Sequence, residues 1–128
     1  EIIRSFDKIR NHFGVNKIAQ TGALAALGDD THLSQVKERV KQAKGQIEKI
    51  ALDNCLSTIK SYTNFVALDC GRGGQYANKV LKNLIKRQVF VRMPSVAPLN
   101  RCIRVTVGEV KDLTYFADQL PAALEEIR

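Results

Sequence analysis

The sequence carries little with which to build a metal centre, a disulfide framework or a hydrolytic triad. Its three cysteines, Cys55, Cys70 and Cys102, are far apart, odd in number and without CxxC spacing, which argues against a zinc knuckle and a paired disulfide set. They read as buried free thiols in a reducing cytosol. The two histidines, His12 and His32, have no Asp, Cys or Ser constellation around them and read as surface or capping residues. Aromatic residues make up 6% of the chain and do not interleave with its basic clusters, as a single-strand nucleic-acid reader would require. Gly71-Arg72-Gly73-Gly74 has neither the GxxxxGK(S/T) spacing of a P-loop nor the GxGxxG register, so it reads as a tight strand-to-helix connection. No apolar run approaches the roughly 20 residues that cross a bilayer, and no charged-then-apolar leader opens the chain. A soluble, cytoplasmic protein is expected. The chain opens at Glu1 without an initiator Met, as a fragment or a processed product would.

What is present is enough for one domain. At 128 residues and 45% hydrophobic composition, a single core is affordable and two are not. A net charge of +7 leaves open an anionic partner, whether nucleic acid, a phosphorylated metabolite or an acidic domain, and the charge alone does not choose among them. Two basic clusters, Lys37, Arg39, Lys41 and Lys44 in one and Lys79, Lys82, Lys86 and Arg87 in the other, could contact a nucleic-acid backbone, but each fits a solvated helix face better.

Hydrophobic periodicity then sets the elements. Asn16 to Leu27 reads as a helix, with Asn16 as N-cap and Gly28 just past its end. Leu33, Val36, Val40, Ala43, Ile47 and Ile50 recur at steps of three and four, the single apolar seam of a long helix. Ser57 to Ile59 and Phe65 to Leu68 gather β-branched and aromatic residues and read as two short strands or one bent one. Tyr76, Ala77, Val80, Leu81, Leu84 and Ile85 define a further amphipathic helix. Val89 to Arg92 reads as a short strand, Met93 to Asn100 as a loop held irregular by Pro94 and Pro98, and Cys102 to Val107 as a last strand. Leu113, Phe116, Ala117, Leu120 and Leu124 form the stripe of a final helix that Pro121 kinks or restarts. The expected fold class is α+β: a small antiparallel or mixed sheet of three to four strands, helices packed on one face, preceded by a helical segment.

Two arginines end or interrupt these strands. Arg104 lies on the face opposite Ile103, Val105 and Val107, where a planar fork of donors suits a carboxylate, although a surface or salt-bridge role is also open. Arg92 ends its strand just before Met93-Pro94, so it reads equally as an exposed strand-end charge. Together they look like an anion clamp.

Over Ile2 to Leu124 the chain resembles the C-terminal part of the fold-type I, pyridoxal-phosphate-dependent aminotransferases (class I/II), nearest the histidinol-phosphate aminotransferase group. Ile2-Ile3 through Lys8-Ile9-Arg10, then Phe13-Gly14-Val15-Asn16 and the run to Leu27, are similar to the segment that leaves the large domain. Ser61-Tyr62-Thr63-Asn64-Phe65 resembles an S-x-x-N-F strand motif. Gln88-Val89-Phe90-Val91-Arg92 resembles G-I-x-V-R, with Gln88 where the family has Gly, and Ile103-Arg104-Val105-Thr106-Val107-Gly108 resembles L-R-I-T-x-G.

The resemblance implies that residues 1–31 are a helical segment linking from a large domain and that 32–128 are the small C-terminal domain. It places substrate α-carboxylate binding on Arg104 and side-chain or phosphate binding on Arg92, with Asn64 and Phe65 as structural neighbours. The implied cofactor is pyridoxal phosphate, held mainly by residues upstream. The lysine that binds it covalently lies in an S-K-x-x-x-L-A-G-x-R motif, and no lysine here stands in that context. The isolated chain is therefore expected to be inactive, without catalytic residues, covalent cofactor or metal. The parent enzyme is expected to be a homodimer acting on an amino acid or amino-phosphate, with no nucleic-acid or membrane partner. The competing expectation is a free-standing basic α+β module that binds nucleic acid.

Overall fold

The computed structural model describes residues 2–9 and 14–127. The expectations placed on Glu1, Arg10, His12 and Phe13 lie outside the described residues. Three helices come first, α1 (Ile2–Asp7), α2 (Lys17–Leu27) and α3 (Asp30–Asp53), followed by strands β1 (Ser57–Ile59) and β2 (Phe65–Asp69). Then come α4 (Gly73–Lys86), a 3-10 turn at Leu99–Arg101, β3 (Cys102–Thr106) and α5 (Val110–Glu125). The chain divides into two compact units, Glu1–Val36 and Lys37–Arg128.

The first unit is built from local signals. The Asn16 side chain accepts the Ala19 N–H at 2.8 Å, which satisfies one of the open donors at the start of α2, and Gly28 ends the helix as expected. Asp29 does the same for α3 by accepting the N–H of His32, itself exposed, at 2.8 Å. None of the residues of α1 or α2 is buried, and Ile2, Ile3, Phe6, Ile18, Leu24 and Leu27 are largely exposed.

The second unit holds the core. Its sheet is antiparallel in the order β1-β2-β3, with Ala67 opposite both Ile59 and Arg104, and Leu68 opposite Ile103. Alternation sends Val66, Leu68, Ile103 and Val105 to one face, where they join Ala77, Val80 and Leu84 of α4 with Leu113, Phe116 and Leu120 of α5. Ile47, Ile50 and Ala51 of α3 belong to the same cluster. Buried Asn83 ties α4 to α5 by donating to the Ala123 carbonyl at 3.2 Å. The helices thus cover one sheet face, as the α+β reading requires.

Several expectations are corrected. Val89–Arg92 is not a strand. The chain leaves α4 through Gln88 at φ +60°, and the Val89 N–H is spent on the Leu84 carbonyl at 2.9 Å, so only Arg92 reaches the sheet, in a single bridge to Arg104. Cys55 is exposed, not buried, because it occupies the same position past the end of α3. Its φ is +59°, and the next N–H, of Leu56, closes on Ala51 O at 2.9 Å. Both helices end in a Schellman closure with a non-glycine residue in the left-handed position. Cys70 and Cys102 are buried free thiols as expected. Pro121 does not restart the last helix: α5 runs through it unbroken, with the proline exposed. Finally, the α3 seam is buried only at Ile47 and Ile50, while Leu33 and Val36 remain exposed.

Candidate functional site

The uncovered face of the sheet carries Phe65, Ala67, Arg104 and Thr106, residues that alternate with the core positions of β2 and β3. Arg104 sits opposite Ala67, whose methyl leaves room beside the guanidinium stem. The diagonal neighbour Phe65 supplies a floor: the guanidinium carbon lies 4.6 Å from the ring centroid. On the other side, Arg92 and Arg104 exchange both backbone hydrogen bonds, Arg92 N–H to Arg104 O at 3.1 Å and the reverse at 2.6 Å. Such a bonded antiparallel pair puts the two side chains on the same face. The sheet therefore brings together the two arginines that the sequence singles out.

Neither arginine has a carboxylate partner among the described residues. Asp69, on the same face of β2, is already engaged: one oxygen lies 2.6 Å from Arg101 and the other accepts the Gly71 N–H at 2.9 Å. The Arg104 Nε is buried and has no hydrogen-bond partner among the described residues. Leaving a buried donor unmade costs about 1–3 kcal/mol, and like charges placed directly opposite on neighbouring strands disfavour one another. Both penalties would be relieved by one anion with two oxygens to share.

Phe65 is held as firmly as the arginine it supports. The Ser61 hydroxyl donates to the Phe65 carbonyl, accepts the Thr63 N–H at 3.2 Å, and the Val107 N–H bonds Asn64 O at 2.9 Å. From α3, the Lys44 ammonium donates to the Ser61 carbonyl at 3.0 Å. The family resemblance implies Asn64 and Phe65 as structural neighbours of the site but not Phe65 as a stacking floor, because that depends on the β2–β3 register. Sequence reasoning assigned Lys44 to a solvated cluster; the residue's half-burial is not visible in periodicity.

Elsewhere the thiols are chemically quiet. Burial pushes the Cys70 pKa up to about 11 and raises that of Cys102, so neither is a ready nucleophile at neutral pH. No group of three or more metal-ligating side chains occurs among the described residues. Among them too, no helix is long and apolar enough to cross a membrane. Lys79 and Lys82 line a shallow cleft with Gly74, Asn78, Ser95 and Asn100, in which no aromatic ring is present for base stacking.

The family model for aminotransferase class I and II matches residues 1–120. The chain belongs to this family. Among curated relatives, this aminotransferase-family chain is 35% identical over 124 residues to a histidinol-phosphate aminotransferase of Caldicellulosiruptor saccharolyticus, covering 97% of the chain and 34% of the relative. It is 34% identical over 122 residues to histidinol-phosphate aminotransferase 1 of Nitrosococcus oceani, covering 95% and 32%. The crystal structure of histidinol-phosphate aminotransferase from Sinorhizobium meliloti, in complex with pyridoxal-5'-phosphate, superposes with a TM-score of 0.93 at 40% identity, covering 98% of this chain and 34% of that one. The chain thus spans about a third of the length of the curated relatives it matches.

Proposed function

We propose that this chain is the C-terminal, substrate-binding part of a pyridoxal-phosphate-dependent aminotransferase that moves an amino group between an amino acid or histidinol phosphate and a 2-oxo acid. Residues 1–31 lead from the large domain, and 32–128 form the small domain. The observation that carries the reading is Arg104: half-buried, stacked on Phe65, with an unpartnered Nε and a second guanidinium, Arg92, paired beside it. A forked donor held in this way is pre-organised for a carboxylate, and Arg92 extends the positive field toward a second anionic group such as a phosphate. Closure of the small domain on the large one would carry Arg104 to the substrate and exclude water from it.

The residues on this face fit a substrate anion and not a covalently held cofactor. Among the described residues, the lysine bonded into the Arg104 network is Lys44, which directs its ammonium to a backbone carbonyl. Pyridoxal phosphate, when bound by the rest of the enzyme, supplies the electron sink that amino transfer needs. This chain contributes binding, orientation and exclusion of water. By itself it is inactive. The parent enzyme is a cytoplasmic homodimer in this reading, and nucleic acid is not a partner.

The test is Arg104→Ala in the longer polypeptide. Truncating one partner of a buried charge pair costs about 2–5 kcal/mol, so the amino-acid KM rises by a factor of ~30 or more, with cofactor absorbance intact. Arg92→Ala raises KM mainly for a phosphate-bearing substrate. Unchanged kinetics in Arg104→Ala would sink the assignment.

A further inference from the structure

We propose that Lys44 is a positioning residue for Arg104: by holding the Ser61 turn, its ammonium fixes the Phe65 ring beneath the guanidinium. In its effect on activity this inference rests on the proposed reading of Arg104, whereas its structural half stands on geometry alone.

Lys44 differs from the neighbouring lysines of α3. Lys37, Lys41 and Lys49 are exposed, and Lys41 lies 4.0 Å from Glu38, one turn away on the same helix. Lys44 is half-buried, and its ammonium reaches across to the Ser61 carbonyl at 3.0 Å. Ser61 opens a compact turn whose two hydroxyls converge on the Phe65 carbonyl. Its hydroxyl donates to the Phe65 carbonyl, the Thr63 hydroxyl reaches the same carbonyl at 3.5 Å, and the Thr63 N–H returns to the Ser61 hydroxyl at 3.2 Å. The far end of the turn is fixed to the chain leaving β3 by Val107 N–H to Asn64 O at 2.9 Å. The Ser61 end lies outside β1 and β2, and the Lys44 ammonium bonds it from α3.

The ring held at the end of this turn sits 4.6 Å from the Arg104 guanidinium carbon. Cation–π attraction is directional enough that tilting or sliding the ring moves the preferred seat of the guanidinium. A displacement on the order of 1 Å at a binding group can cost up to ~100-fold in rate. A lysine that touches no substrate can therefore set how well a carboxylate is received.

Lys44→Met keeps the aliphatic stem and removes the donors; Lys44→Arg restores a donor of similar reach. In the 128-residue chain, the Arg104 Nε–H resonance reports the Phe65 ring current directly. The expected result is a shift of that resonance in Lys44→Met with an unchanged melting transition, and its return in Lys44→Arg. In the longer polypeptide, the amino-acid KM rises about tenfold in Lys44→Met at unchanged kcat, the mark of lost uniform binding, and recovers in Lys44→Arg. An Arg104 resonance unmoved in Lys44→Met overturns the proposal, even where Arg104→Ala raises KM. A moved resonance with no KM change in either Lys44→Met or Arg104→Ala supports the positioning role and rejects the carboxylate reading instead.

Discussion

On one face of the sheet Val66, Leu68, Ile103 and Val105 are all but fully buried, while on the other Phe65, Ala67 and Arg104 are half-covered and Thr106 is exposed. The same strands present both sets, one residue apart. The covered face has α4, α5 and part of α3 against it and is saturated with apolar partners. On the open face lie a ring, a methyl and two guanidiniums that lack a carboxylate among the described residues. The first face supplies stability, and the second leaves the Arg104 Nε without a hydrogen-bond partner among the described residues. A sheet covered on one side only is thus a rigid plate on which a binding group can be placed without disturbing the core.

The contrast is broken or sharpened most strongly by truncation. Leu68→Ala, on the covered face, should destabilise the chain by about 2–5 kcal/mol in denaturant unfolding, whereas Thr106→Ala, on the open face, should stay within about 0.5 kcal/mol. Equal losses would mean that the open face is covered in solution. Gln88 is the hinge by which the chain passes from helix α4 toward Arg92, at φ +60°. Gln88→Gly should raise stability by about 1 kcal/mol, since a side chain in the left-handed region costs roughly that much. A loss would show that the Gln88 side chain makes a contact worth more than the strain.

The thiols sharpen the comparison at a finer scale. Cys102 belongs by alternation to the Arg104 face, yet it is 1% exposed, so that face is closed at its Cys102 end and open at its Phe65 end. With a thiol reagent near pH 8, Cys55 should react fast, with Cys70 and Cys102 reacting only on unfolding. Rapid labelling of Cys102 would contradict a closed end. The smallest effect lies outside both faces, at the Arg87–Glu126 pair, 2.5 Å apart. Its hydrogen bond and charge hold the Glu126 carboxyl below the ordinary range. Because the folded value is depressed, this contribution is complete above the ordinary glutamate range and is lost as pH falls through the folded value. Glu126→Gln should therefore unfold slightly more readily than the parent at neutral pH, and the difference should vanish on acidification.

Much of this organisation is legible in the sequence, and what is not has physical reasons. Asn16 and Gly28 bracket α2 because caps are local chemistry, and Ile103 and Val105 declare the buried face because a strand alternates. The same alternation puts Arg104 on the other face. Val89-Phe90-Val91 misleads because its β-branched residues look like a strand, while the Val89 N–H is claimed by the closure of α4. That closure has a signature, a glycine, and here Gln88 and Cys55 occupy the two places where one is usual. Leu33 and Val36 carry the periodicity of a buried seam without burial in the chain, since periodicity marks a face and not its partner. Phe65 under Arg104 and Lys44 on Ser61 depend on register and tertiary approach, which no local pattern encodes.

The most direct test of the account is a titration of the longer polypeptide with an amino-acid substrate and with its carboxamide, observed at the Arg104 Nε–H resonance. The account predicts a saturable shift with the carboxylate that is lost with the carboxamide and absent in Arg104→Lys. An Arg104 signal that is indifferent to the carboxylate, or that responds equally to the amide, would contradict it.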